Sequence, residues 1–142
     1  MKITIGSDHK GYSLKCAIKK ELGDKIELID VGTDSQVRTD YPIYAKKVCN
    51  NILEGKTDFG ILICGSGIGM SIAANRHDGI YAALCWNEQV AKLAKADDNS
   101  NILVLPSDFL TSKDSFAIIH AWLYTEFKCE RYLDRLKLID KK

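Results

Sequence analysis

Short apolar runs alternate along the chain with longer stretches in which apolar residues recur every three or four positions, a pattern that predicts strands interleaved with amphipathic helices. Ile3 to Gly6 forms the first such run, and Leu14, Ala17, Ile18 and Leu22 then share one face of a helix that Gly23 stops. Ile26 to Val31 predicts a second strand. Pro42 opens a helix with Ala45, Val48 and Ile52 inward, and Gly55 ends it before a third strand, Phe59 to Cys64. Met70 to Asn75 reads as a short helix, Tyr81 to Cys85 and Ile102 to Leu105 as the last two strands, and Val90 to Ala96 as the helix between them. Two more helices are expected after the fifth strand, roughly Lys113 to Phe127 and Glu130 to Ile139. Five strands joined by helices predict a three-layer α/β/α, doubly wound sheet of five parallel strands, Rossmann-like in architecture. No repeat, low-complexity tract or linker interrupts the alternation, so residues 1–142 read as one domain.

Ligands of open α/β sheets bind beyond the carboxyl ends of the strands, which turns the residues after each predicted strand into candidates. They are strongly polar: Ser7, Asp8 and His9, then Thr33 and Asp34, Gly65 to Gly69, Asn87, and Ser107 with Asp108. The third set is the most informative. In FGILICGSGIGMS, Phe59 to Ser71, a strand ends in Cys64 and runs into glycines at 65, 67 and 69, followed by a helix whose first N–H groups lack helical partners. Those donors favour both a bound oxyanion and a thiolate on Cys64. The spacing is G-x-G-x-G, without the Walker lysine and without an acidic residue ending the next strand, so a dinucleotide is poorly supported and a phosphate or oxyanion fits better. On the glycines alone, a tight structural turn is the alternative.

Charge and cysteine content narrow the partners. Twenty Lys plus Arg against 19 Asp plus Glu leave no basic field for nucleic acid or an anionic membrane. No apolar run nears the roughly 18 residues of a membrane span, and Ile3 to Ile5 is too short for a signal-peptide core, so a cytoplasmic protein acting on small molecules is expected. Cys16, Cys49, Cys64, Cys85 and Cys129 show neither a C-x-x-C pair nor zinc-like spacing. All but Cys64 read as small hydrophobes. His77 reads as part of a turn, and His120, inside FAIIHAW, as part of a helix apolar nearly all round with a face left for a second subunit.

The string Gly6-Ser7-Asp8-His9-Lys10-Gly11, then Val31-Gly32-Thr33, Arg38-Thr39-Asp40-Tyr41-Pro42, ICGSGIGMSIAANR, and Asn101 before a strand, resembles the ribose-5-phosphate isomerase B family along nearly the whole chain. The resemblance implies cofactor-free and metal-free interconversion of ribose 5-phosphate and ribulose 5-phosphate through an enediolate, a step of the non-oxidative pentose phosphate pathway. It also implies a homodimer or tetramer whose active sites lie at a subunit interface, with the C-terminal helix (about 129–140) packing there. Cys64 matches the family's base, and Ser66 with the amides of Gly65, Gly67, Ile68 and Gly69 its anion hole. Asp8, His9 and Tyr41 match substrate contacts, and Arg131 and Arg135, one helical turn apart, match a phosphate clamp. Without the resemblance, Asp8 reads equally as a helix cap, Tyr41 as a packed ring, and the two arginines as part of a solvated helix with Glu130 and Asp134.

Two positions depart from the family. Asp97 and Asp98 stand where many members carry a His-Asn pair whose histidine is proposed to open the sugar ring; the expectation is that Asp97 takes that role, its carboxyl kept protonated by its neighbour and partial burial, with Asp98 beside it in substrate binding. Asp108 stands where a phosphate-contacting arginine is common. The competing readings are an isomerase of a six-carbon sugar phosphate (allose or galactose 6-phosphate), a non-catalytic binder of sugar phosphates, and a thiol oxidoreductase, the last disfavoured by the absence of a second nearby cysteine.

Overall fold

The structure, a computed structural model, describes all 142 residues, Met1–Lys142. Strands β1 (Lys2–Ser7), β2 (Glu27–Asp30), β3 (Phe59–Cys64), β4 (Ala82–Leu84) and β5 (Ile102–Pro106) form one parallel sheet in the order β2-β1-β3-β5-β4. Six helices connect and cover it: α1 (Tyr12–Leu22), α2 (Tyr41–Leu53), α3 (Ile68–Asn75), α4 (Glu88–Ala96), α5 (Ser112–Leu123) and α6 (Arg131–Asp140). The expected doubly wound α/β sheet is therefore present. The chain steps from β1 outward to β2 and then back across to β3, so the topological switch point lies between β1 and β3.

The strands bury both faces, which is why their sequences are nearly unbroken apolar runs. Ile3, Ile5, Ile61, Ile63, Leu103 and Leu105 point to one side, against Leu14 and Ile18 of α1 and Ile118, Ile119 and Trp122 of α5. Leu62, Cys64, Ile102 and Val104 point to the other, against Ala45 and Val48 of α2 and Met70 and Ala74 of α3. Cys64 is thus the last residue of a strand face that packs on the helix it precedes.

Two lysines lie inside this fold. Lys15 Nζ bonds both Asp30 oxygens (2.7 and 2.8 Å) and the Thr33 carbonyl (2.6 Å), tying α1 to the turn after β2. Lys95, 5% exposed, has no carboxylate partner; its ammonium sits 3.9 Å from the Phe59 ring centroid and 4.2 Å from that of Trp122, and donates to the Trp122 carbonyl at 3.4 Å.

The C-terminal region differs from expectation. The helix expected to reach Phe127 stops at Leu123, because the Lys128 N–H donates to the Ala96 carbonyl (2.9 Å) and the chain must leave the helix axis to reach it. Cys129 (φ 60°) and Glu130 (φ 54°) then turn it into α6 through left-handed backbone. His120 is exposed and lies against Tyr124 at 4.7 Å, while the extra apolar face of α5 is buried, as expected, here by α1, α4 and β5 of the same chain.

Candidate active site

At the switch point, β1 ends in Ser7-Asp8-His9 beside the end of β3. Asp8 is buried, and its Oδ1 accepts from the amides of Lys10 (3.0 Å) and Gly11 (3.1 Å), so one carboxylate oxygen caps the turn into α1. Its negative charge is near enough to Cys64 to disfavour a thiolate there. His9 is half-buried, with Nδ1 accepting from the Thr39 amide at 3.2 Å. The Ser7 hydroxyl is buried and has no hydrogen-bond partner.

Beyond Cys64 the chain makes its glycine turn. Gly67 is left-handed (φ 75°), and a Cβ there would meet Leu84 Cδ1 at 2.4 Å, so both backbone and space require glycine. The Ser66 hydroxyl accepts from the Ile68 amide at 3.2 Å, leaving its own proton free for a ligand. The amides of Met70, Gly67 and Ser66 point at the Cys64 sulfur. They lower its pKa as the sequence predicts, but they do not win: burial, the larger effect, pushes the thiol above its ordinary 9.0. Burial and the Asp8 charge thus both favour the thiol form of Cys64.

Two walls flank this turn. The Tyr41 ring lies on Gly69, where an added Cβ would come within 2.6 Å of Cζ. On the opposite side, the Asp108 carboxylate and the Lys10 stem lie on Gly65, at 2.7 and 2.8 Å from such a Cβ. Lys10 Nζ and Asp108 Oδ2 are 3.4 Å apart, so a cation stands beside the carboxylate that departs from the family pattern. Ser107 Oγ closes the corner by donating toward the carbonyls of Lys10 (3.1 Å) and Cys64 (3.2 Å).

Asp97, Asp98, Arg131 and Arg135 lie elsewhere in the chain. Helix α4 starts at the carboxyl end of β4 and returns to the amino end of β5, so its C-cap, Asp97, lies at the opposite end of the sheet from Cys64. The length of β5 alone, Ile102–Pro106, separates them by roughly 15 Å. Here Asp97 Oδ1 meets Lys128 Nζ at 3.0 Å, and the Tyr132 ring is surrounded by Lys128 (5.0 Å), Arg131 (5.0 Å) and Arg135 (5.3 Å). Asp98 is exposed and points instead into a cavity of about 820 Å³ beneath α6, lined by Arg76, Tyr81 and Ile139 among others. Asp97 therefore faces an ammonium rather than a second carboxylate.

The structure brings the first cluster together, with Lys10 beside it, and gathers Lys128 and Tyr132 into the second; the sequence had not singled out these three. Lys128 and Tyr132 had a signal: with Arg131 and Arg135 they recur at spacings of three and four across the start of α6, an aromatic ring inside a row of cations. No group of three His, Cys, Asp or Glu side chains is placed to hold a metal ion, and no helix is long and apolar enough to cross a membrane.

The sequence pattern of the Ribose/Galactose Isomerase family matches residues 3–139. Ribose-5-phosphate isomerase B of Escherichia coli is 40% identical over 139 residues, covering 97% of this chain and 93% of that protein. Among solved structures, a ribose 5-phosphate isomerase of Thermotoga maritima superposes with a TM-score of 0.97 at 48% identity, covering 99% of this chain and 98% of the other. Ribose-5-phosphate isomerase B of Mycoplasma genitalium, solved with bound ribulose-5-phosphate, superposes with a TM-score of 0.94 at 36% identity, covering 99% and 94%.

Proposed function

The chain belongs to the ribose/galactose isomerase family, and we propose from this membership and its site that it interconverts D-ribose 5-phosphate and D-ribulose 5-phosphate in the cytoplasm. The observation that carries the reading is the Cys64 thiol, ringed by the amides of Ser66, Gly67 and Met70 at the switch point and next to Asp8. A sulfur so placed can act as the base of the reaction. As thiolate it removes the C2 proton of the opened aldose; the C2–H electron pair forms the C1–C2 double bond, and the carbonyl pair moves onto O1. The loop N–H groups and the Ser66 hydroxyl stabilise that oxyanion, each such donor contributing about 3 kcal/mol. Proton transfer from O2 to O1 and return of the sulfur-held proton to C1 give the ketose. The Gly67 amide belongs to both sets, lowering the thiol pKa and lying in the loop that meets the charge the reaction creates.

The second cluster completes the site from another copy of the chain. Lys128, Arg131 and Arg135 present three cations suited to a phosphate dianion, yet they lie at the far end of the sheet from the base. We infer a homodimer in which the Asp97, Asp98, Arg131 and Arg135 region of each protomer faces the Cys64 loop of its partner, with α6 at the interface. In that arrangement the arginines with His9 hold the phosphate, leaving Asp8 and Tyr41 for the sugar. Purified protein incubated with ribose 5-phosphate in deuterium oxide should form ribulose 5-phosphate and incorporate deuterium, and Cys64→Ala should abolish exchange while retaining binding. Binding without exchange by the parent protein would leave a sugar-phosphate binder instead.

A further inference from the structure

The sole hydrogen bond to the His9 ring comes from a backbone amide, and a backbone amide can only donate. Thr39 N–H points at His9 Nδ1 over 3.2 Å, so Nδ1 must carry its lone pair. In a neutral imidazole the ring proton then resides on Nε2; in an imidazolium both nitrogens carry protons, and N–H would confront N–H. The amide is itself anchored. Thr39 Oγ1 and Tyr44 Oη are 2.9 Å apart, so the first turns of α2 hold the end of the Asp34–Asp40 loop. Two residues after Thr39, the chain enters α2 with Tyr41, whose ring lies on Gly69.

We propose that Thr39 is a positioning residue that locks His9 as the neutral Nε2–H tautomer, making His9 a one-proton hydrogen-bond donor to an acceptor oxygen of the ligand and excluding it as a base. The Asp34–Asp40 loop thereby sets two walls of the site at once, His9 through the Thr39 amide and Tyr41 through the start of α2. That the acceptor oxygen belongs to a sugar phosphate rests on the preceding reading; the tautomer does not.

The test uses the full-length, ligand-free, 15N-labelled protein at pH 8, above the ordinary imidazole range. A long-range proton–nitrogen spectrum should show His9, identified by its loss in His9→Gln, with a pyridine-like Nδ1 and a pyrrole-like Nε2. A nitrogen–nitrogen coupling across the hydrogen bond should link Nδ1 to the Thr39 amide. Thr39→Pro deletes the donor; the Nδ1–H form should gain population relative to the parent, and KM for ribose 5-phosphate should rise about fivefold with kcat changing less. A pyrrole-like Nδ1 in the parent protein, or an unchanged tautomer in Thr39→Pro, overturns the proposal. Should Thr39→Pro fail to fold, the coupling in the parent protein decides alone. Because the spectra are recorded without substrate, they answer the question whatever the outcome of the isomerase assay.

Discussion

Replacing Lys95 by Met keeps the length of a buried side chain and removes its charge, which isolates the energetics of an ammonium that has aromatic rings but no anion for company. Burial pulls Lys95 from 10.5 down to about 8. That difference corresponds to roughly 3 kcal/mol of disfavour for the charged form in the folded state. The rings of Phe59 and Trp122, at 3.9 and 4.2 Å, give back up to about 2 kcal/mol as cation–π attraction in a desolvated setting, so the net disfavour is on the order of 1–3 kcal/mol. Because the folded-state pKa is depressed, the unfolded chain holds the proton longer; the disfavour is complete below pH 8 and lifts as pH rises toward 10.5. The Met variant lacks this dependence. Urea unfolding of both proteins at pH 7, 8, 9 and 10 should therefore show the stability of Lys95→Met relative to the parent falling by about 1–3 kcal/mol across the series. Cys49 and Cys85, which burial pushes up to about 11 and about 12, and Tyr81, raised to about 12 chiefly by its hydrogen bond to Asp140, titrate in both proteins and cancel in the difference. A difference that stays flat from pH 7 to pH 10 would refute the picture of an unneutralised buried cation.

Three further outcomes are expected. Alkylation of Cys64 by iodoacetamide, resolved by peptide mass mapping, should keep accelerating from pH 7 to 9, since burial pushes the thiol up; a plateau below pH 8 contradicts that. Ser7→Ala should stabilise the protein by about 1 kcal/mol in thermal or urea unfolding, because it removes a buried hydroxyl that bonds nothing; destabilisation would mean that the hydroxyl has a partner. Cys64→Ala and the double variant Arg131→Ala/Arg135→Ala should each be inactive alone, yet regain about a quarter of parental activity when co-refolded, because half of the dimers then contain one intact site. No recovery would place both clusters' functions within one protomer.

Most of the fold was legible because each element carries its own period: two-sided apolar runs for β1, β3 and β5, and one-sided stripes for α1 and α2. The stretch from Tyr124 to Glu130 was not, since its path is set by a long-range bond from Lys128 to Ala96 and by left-handed backbone at Cys129 and Glu130, residues that do not announce such conformations. In the site, Cys64 and its glycine turn were readable because close backbone approach selects glycine. The thiol's upward shift was not readable, because burial depends on what α3 and β5 bring over the sulfur. The separation of Asp97 from Cys64 could have been read, since a crossover helix between parallel strands must end where the next strand begins.

A protomer with its sulfur loop at one pole and its cationic cluster at the other faces a geometric choice. Stacked pole to pole in a single direction, such units would never close and would grow into fibres; turned about a twofold axis, two of them satisfy both poles at once and stop. The couple so formed has no spare ends, and each substitution at either pole is felt twice in its association energy. For the proposed dimer, dilution is then a chemical variable: below the concentration at which the couple separates, each sulfur loop would lose the cations that complete its site, and turnover would cease.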